Sequence, residues 1–420
     1  MPDSRKKSKK PMNSQSLFPD ERQAVPVVPL RPVGQVYHYA IPEMISVLPG
    51  DIVSIPLSGS QDLGIVWGDA VPARSLDYNL KPISAVAGRV RLPEDLRDLI
   101  DWTADYTLSA KGMVAKMAMP VSSIFKETEP IAHFEPAPPY NQYDQQENLK
   151  SLTDKRRAVI DYLKEHGPAK ASDIAAGCDL SESMIYTMNK QNILRKVSQE
   201  RLYQTRRYTP DLPALNEAQD RAASDLQAKV TAQKFSTTLL DGVTGSGKTE
   251  VYFRAVAEAL KAGRQALIMV PEIVLTTQLQ RRFLERFGAP PHLWHSTMSA
   301  GERKRTYIDI AKGRARVVIG ARSALFLPFN DLALIIVDEE HDPSYKQEEG
   351  VIYHARDMAV KRGQIEDLPV VLASATPALE THLNCVQEKY DRLRLPKRHA
   401  GATMPEINII DMRRQPIKKT

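Results

Sequence analysis

Asp241-Gly242-Val243-Thr244-Gly245-Ser246-Gly247-Lys248-Thr249-Glu250 carries the spacing G-x-x-x-x-G-K-T of a phosphate-binding loop. A β-prone run, Phe235 to Leu240, precedes it. A helical pattern follows, with Val251, Phe253, Ala255, Val256 and Leu260 as its apolar members. Strand, glycine loop and helix are the context this motif needs. Gly242, Gly245 and Gly247 let successive N–H groups turn inward onto phosphate oxygens, and the helix N-terminus adds its partial positive charge. Lys248 is placed to reach the β- and γ-phosphates of ATP, and the Thr249 hydroxyl to ligate Mg2+.

Working outward, apolar runs at 236–240, 265–270, 316–319, 332–337 and 369–372 alternate with helical patterns from Pro210 onward. That alternation predicts an α/β lobe with a parallel sheet covered on both faces. Ile335-Ile336-Val337-Asp338-Glu339-Glu340-His341 reads as an apolar strand ending in acids. Asp338 at the strand's end can hold Mg2+, and Glu339 can orient and deprotonate an attacking water. Ser374-Ala375-Thr376-Pro377 follows the last strand, where the Ser374 and Thr376 hydroxyls can relay the state of the γ-phosphate.

The rest of the chain divides by composition. Residues 1–22 form a basic arm with Arg5, Lys6, Lys7, Lys9 and Lys10, and no apolar stretch follows them as in a secretory signal. Residues 23–125 read as a β-rich unit with a helical C-terminal part over Leu92 to Met119, in which Trp102 and Tyr106 are taken as core packing. Residues 126–149 read as a linker, marked by Pro130, Pro136, Pro138 and Pro139. Residues 150–208 show three short helices and a hairpin, Arg195–Val197 with Leu202–Tyr203, the pattern of a winged helix. Residues 209–400 hold the α/β lobe. The net charge of +6 and pI of about 9.0 permit a polyanionic partner. Two distant cysteines, Cys178 and Cys385, build neither a disulfide framework nor a zinc knuckle and fit a reducing cytoplasm. The sequence has no apolar run of the length (about 18 residues) that suggests a membrane span.

In their order, the P-loop, D-E-E-H and S-A-T motifs resemble those of superfamily 2 helicases and translocases, whose motor lobes are RecA-like. That resemblance implies an adenine-reading role for Gln219 in Leu215-Asn216-Glu217-Ala218-Gln219. It also implies contacts to single-strand phosphates by Val270-Pro271-Glu272-Ile273 and by Gly320 to Phe326, with Arg322 supplying a guanidinium. The longer runs Gly245 to Tyr252, Asp338 to Asp342, Ser344 to Gln347, Tyr353 to Asp357 and Ser374 to Glu380 together resemble primosomal protein N′, the PriA-type replication-restart helicases of bacteria.

This narrower likeness implies an aromatic-rich loop with Tyr345, Lys346 and Tyr353 that touches DNA. It further implies a 3′-end-binding domain at the N-terminus, where Tyr37 and His38 would contact the strand. The family has an aromatic-Asp-Tyr triplet there, and this chain reads Tyr37-His38-Tyr39. Branched or forked DNA and single-stranded DNA are the implied substrates, with other primosome proteins and single-strand-binding protein as partners. The resemblance also implies that residues 401–420 are the start of a truncated second motor lobe, and leads us to expect the rest of that lobe with its arginine fingers, and a cysteine-rich zinc module, after Thr420. The 420-residue chain alone is therefore expected to bind ATP better than it hydrolyses it. Two rival readings stand beside this one: an ATP-independent module for branched DNA, and an RNA helicase of the D-E-x-H kind.

Overall fold

The computed structural model describes residues 22–76, 79–120, 132–141, 152–197, 206–271 and 277–398. The described residues fall into two compact units. One comprises the chain up to residue 120 with Gln347–Tyr353, and the other comprises the remainder.

The first unit is an antiparallel sheet of β1 (Gln23–Pro29), β2 (Tyr37–Ala40), β3 (Asp51–Leu57), β4 (Ser60–Val66), β5 (Val71–Pro72) and β6 (Ala85–Arg91). The strand order is β2-β1-β4-β3-β6, with β5 also on β1. Val25, Val27, Tyr39, Val53, Ile55 and Val66 form its core. The single helix expected over Leu92 to Met119 is two, Glu94–Tyr106 and Lys111–Ala118, parted where Leu108 adopts φ +51°. Core packing of the helix aromatics is also not what is found. Trp102 and Tyr106 stack on each other at 4.7 Å, and Tyr106 is 65% exposed. Leu96, Leu99, Ile100 and Thr103 fill the buried stripe instead.

In the second unit, the helices Asp154–His166, Ala171–Cys178 and Glu182–Lys190 pack on a small sheet. Its strands are β7 (His133–Pro136), β8 (Ala169–Lys170) and β9 (Leu194–Lys196), in the order β8-β7-β9. β7 lies in the stretch read as linker. Its Phe134 is fully buried among Val159, Ile160, Leu163 and Ile185, so packing overrides the proline-rich composition around it. Leu202 and Tyr203, the expected second strand of the hairpin, lie outside the described residues, as do the basic arm and residues 401–420.

The lobe that follows is built on seven strands. These are β10 (Ser236–Gly242), β11 (Gln265–Met269), β12 (His292–Trp294), β13 (Val317–Gly320), β14 (Leu332–Asp338), β17 (Pro369–Ser374) and β18 (Asp391–Leu395), with the two-residue pair β15 (Lys346–Gln347) and β16 (Tyr353–His354) apart from them. Every pairing among the seven is parallel, in the order β12-β13-β11-β14-β17-β10-β18. Every residue of β11, β14 and β17 is buried, which explains their unbroken apolar runs. Among the described residues no helix is long and apolar enough to cross a membrane.

Close packing of the helix Ala355–Ile365 on this sheet depends on Gly363. A Cβ there would lie 2.3 Å from Val370 Cγ2 and 3.1 Å from the Leu368 carbonyl oxygen. Gly301, in the helix Ala300–Ala311, has nothing within 4 Å of that position. Gly363→Ala should therefore cost about 1–3 kcal/mol, and Gly301→Ala should be neutral or slightly stabilising. Thermal unfolding of the two variants checks this, and equal midpoints would contradict the packing described.

Candidate nucleotide-binding site

Strand order brings the three motifs to one edge of the sheet. β17 lies between β10 and β14, with Asp241 opposite Ser374 and Asp338 opposite Ala373. All three strands run the same way, so the loops leaving Gly242, Ser374 and Asp338 emerge side by side at their carboxyl ends, where ligands of such sheets collect. A cavity of about 660 Å³ opens there. Leu215, Gln219, Thr244 to Glu250, Gln278, Arg282, Arg286, Asp338 and Glu339 help to line it.

The loop after β10 has the geometry its glycines allow. Gly245 and Gly247 adopt φ +78° and +83°, and Gly247 caps the helix Lys248–Lys261. Lys248 is buried and its Nζ donates to the Gly242 carbonyl oxygen at 2.9 Å. Gln219 is buried against this loop. Its Nε2 donates to the Ser246 carbonyl (2.8 Å), and its Oε1 accepts from the Asn216 N–H (2.9 Å) in a capping box. Gln219 therefore steadies the loop with both ends of its amide while also lining the cavity. Arg254 donates to the carbonyls of Leu212 (3.3 Å) and Pro213 (2.6 Å), and so fixes the segment leading to Leu215.

On the acidic side, Asp338 Oδ2 accepts from the Tyr252 hydroxyl at 3.0 Å and Oδ1 from the Glu339 N–H at 3.1 Å. Burial, and then the Glu339 charge beside it, push the Asp338 carboxyl up to about 6. Glu339 itself holds φ +50°, a conformation that a non-glycine residue adopts at a cost. Glu340, which the sequence reading left without a role, is fully buried. It accepts from Arg356 Nη1 (3.2 Å), Thr381 Oγ1 (2.9 Å) and the Ala378 N–H (2.8 Å). His341 Nδ1 lies 2.8 Å from Ser374 Oγ, which accepts the Thr376 N–H at 3.0 Å. The turn after β14 and the turn after β17 are thus joined twice, through Glu340 and through His341.

The residues expected to meet single-stranded DNA are placed differently. Tyr345 is 1% exposed and its hydroxyl donates to the Asp338 carbonyl oxygen at 2.6 Å. Tyr353 is also buried. Neither ring is exposed for a base to stack on in this structure. Arg322 Nη1 donates to the carbonyls of Ser344 (3.1 Å) and Lys346 (3.0 Å), so this guanidinium braces the turn that carries Tyr345. Lys346 is exposed, and residues 272–276 lie outside the described set. In the other unit, Tyr37 and His38 are half-buried on β2, opposite Val27 and Pro26 of β1. Tyr39 beside them is buried and its hydroxyl reaches the Pro56 carbonyl at 3.4 Å.

Sequence reasoning missed Gln278, Arg282 and Arg286. Their spacing on the helix Thr277–Phe287 was the available signal, since residues four apart share a face. It also missed Arg356 and Thr381, which only the fold brings to Glu340.

Comparison with known proteins agrees with this geometry. A family profile described as DEAD/DEAH box helicase matches residues 216–384, and one described as 3′DNA-binding domain (3′BD) matches residues 25–120. Replication restart protein PriA of Chlamydia pneumoniae is 35% identical over 391 residues, covering 90% of this chain and 52% of that protein. The PriA of Rickettsia felis is 33% identical over 91% of this chain and 47% of its own length. The PriA of Bacillus subtilis is 37% identical over 64% of this chain and 34% of its own. The chain spans about half the length of the first curated relatives it matches. Over about nine-tenths of its own length the chain is similar to these replication restart proteins PriA, and it matches both a 3′DNA-binding domain and a DEAD/DEAH box helicase profile.

Proposed function

We propose that this chain supplies the DNA-binding and first motor-lobe parts of an ATP-dependent DNA helicase that restarts replication at stalled or branched forks. The observation that carries this is the convergence of Lys248, Thr249, Asp338 and Glu339 on one cavity, in a chain that also matches a 3′DNA-binding domain. Lys248 leaves the Gly242 carbonyl to bind the β- and γ-phosphates, and the amides around Gly242, Gly245 and Gly247 cradle them. Glu339 orients the attacking water and takes up its proton. Gln219 fixes the loop at the adenine end. Ser374 and Thr376, held by His341, transmit the change at the phosphates to the rest of the lobe.

The donor set fits magnesium. Two adjacent carboxylates line the cavity, where burial and the Glu339 charge hold the Asp338 carboxyl above its ordinary range. Thr249 and Asp338 would hold the ion, and hard oxygen donors with few protein ligands are what magnesium takes beside phosphates. When bound, the ion neutralises charge on the phosphates. Zinc, implied by the resemblance for sequence beyond Thr420, remains an expectation of that resemblance.

Forked and single-stranded DNA are the proposed substrates, met by the 3′DNA-binding domain through Tyr37 and His38 and by the lobe through Arg322 and Lys346. By the same likeness, the partners are other primosome proteins and single-strand-binding protein, in a bacterial cytoplasm.

In a chain extended to the length of its relatives, Lys248→Ala should lower DNA-stimulated ATP hydrolysis by about 100-fold or more, the scale on which removal of one transition-state charge contact acts. Undiminished turnover would exclude the proposed site. RNA stimulating that turnover better than DNA would favour the RNA-helicase reading. For the 420-residue chain, a gel shift should show forked DNA preferred over blunt duplex. A fork preference confined to the wild type with ATP would set aside the reading as an ATP-independent module.

A further inference from the structure

The helix Thr277–Phe287 carries two stripes of residues spaced by four. Leu279, Phe283 and Phe287 pack into the core with Phe253. Gln278, Arg282 and Arg286, each one position earlier, line the nucleotide cavity. Two of the arginines on this helix have identified anions. Arg281 pairs with Glu285 at 2.9 Å, and Arg286 with Glu250 at 3.2 Å. For Arg282, no acid or carbonyl among the described residues takes up its guanidinium, although it is half-buried in the cavity wall.

Its level along the cavity is set by its neighbour. Arg282 shares the cavity wall with Asp338, the acceptor of the Tyr252 hydroxyl. Arg286, one turn further along the helix, is held at Glu250 instead. The Asp338 end is where Thr249, Asp338 and Glu339 gather, and so where the last phosphate of a triphosphate would lie. Lys248 and Arg286 are the other cations on this wall; Arg286 is taken up by Glu250, and Lys248 has two phosphates to serve. A guanidinium without an anion, facing a polar cavity, suits an incoming phosphate, whose oxygens its forked N–H groups can meet in pairs.

We propose that Arg282 binds the terminal phosphate of a nucleoside triphosphate and so lets this lobe alone distinguish a triphosphate from a diphosphate. This rests on the nucleotide reading of the cavity. The contact is made from within the first lobe, by the helix that leaves the 272–276 segment, and a diphosphate does not reach it.

Calorimetric titration of the 420-residue chain with ADP and with AMPPNP, both with magnesium, tests this. Arg282→Ala should weaken AMPPNP about ten- to hundredfold, the scale of a charged hydrogen bond, and change ADP affinity by less than about threefold. Arg282→Lys should fall between, because it keeps the charge and loses the fork. Arg286→Ala should shift both nucleotides alike. Thermal midpoints confirm that the variants are folded, and Arg282→Gln, which keeps the apolar stem, replaces Ala if that variant melts early. Equal losses for ADP and AMPPNP in Arg282→Ala, or no loss for either, would overturn the inference. Failure of the wild-type chain to bind either nucleotide would overturn the underlying reading of the cavity instead, and Arg282 with it.

Discussion

Glu340 brings a carboxylate to a place that solvent does not reach, and the edge of the sheet is arranged around satisfying it. Isolating such a charge from water costs several kcal/mol, and only well-placed donors recover that. Arg356 from the following helix, Thr381 from the last described helix and the Ala378 N–H supply three. Because these donors come from both sides of β17, the carboxylate clamps the turn after β14 to the turn after β17. Asp338 and Glu339, immediately before the clamp, inherit fixed positions. The left-handed backbone at Glu339 is tolerable for that reason: strain at one residue persists when its neighbours are over-determined.

Within the site the side chains are held by near neighbours. Lys248 folds back onto Gly242, and Asp338 is held by Tyr252 and by the Glu339 N–H. The Asp338 carboxyl is raised by its burial and by the Glu339 charge beside it. Tyr345 closes the site from behind by donating to the Asp338 carbonyl, and Arg322 ties down the backbone on either side of Tyr345. A displacement at Arg322 would therefore be passed to Asp338 through two hydrogen bonds and one ring. This is a short mechanical route between Arg322 and the cavity end of β14.

Much of the lobe was legible in the sequence, because its information is local. A parallel strand buried on both faces must be an unbroken apolar run, and a P-loop must place glycines where φ is positive, as at Gly245 and Gly247. The acids of D-E-E-H stand at a strand end by simple register. What was illegible depends on distant partners. Tyr345 and Tyr353 look like stacking rings in a polar segment, and nothing nearby in sequence reveals that they are buried. Arg322 reads as a phosphate ligand, and only the fold reveals that it also holds the Ser344 and Lys346 carbonyls. Phe134 sat among prolines that read as linker, yet it is fully buried in the core of the small three-helix unit. Trp102 and Tyr106 erred the other way. Their spacing allowed burial, but Leu99 and Thr103 occupy that side of the helix.

The central claim is that three strand ends build one phosphate site and that Lys248 changes partner to serve it. A crystal structure of the chain grown with magnesium and ADP tests it most directly. The account predicts a phosphate within hydrogen-bond distance of Lys248 Nζ, about 2.7–2.9 Å, with the contact to the Gly242 carbonyl broken and the ion between Thr249 and Asp338. A nucleotide bound elsewhere, or one in the loop with Lys248 still on Gly242, would contradict it.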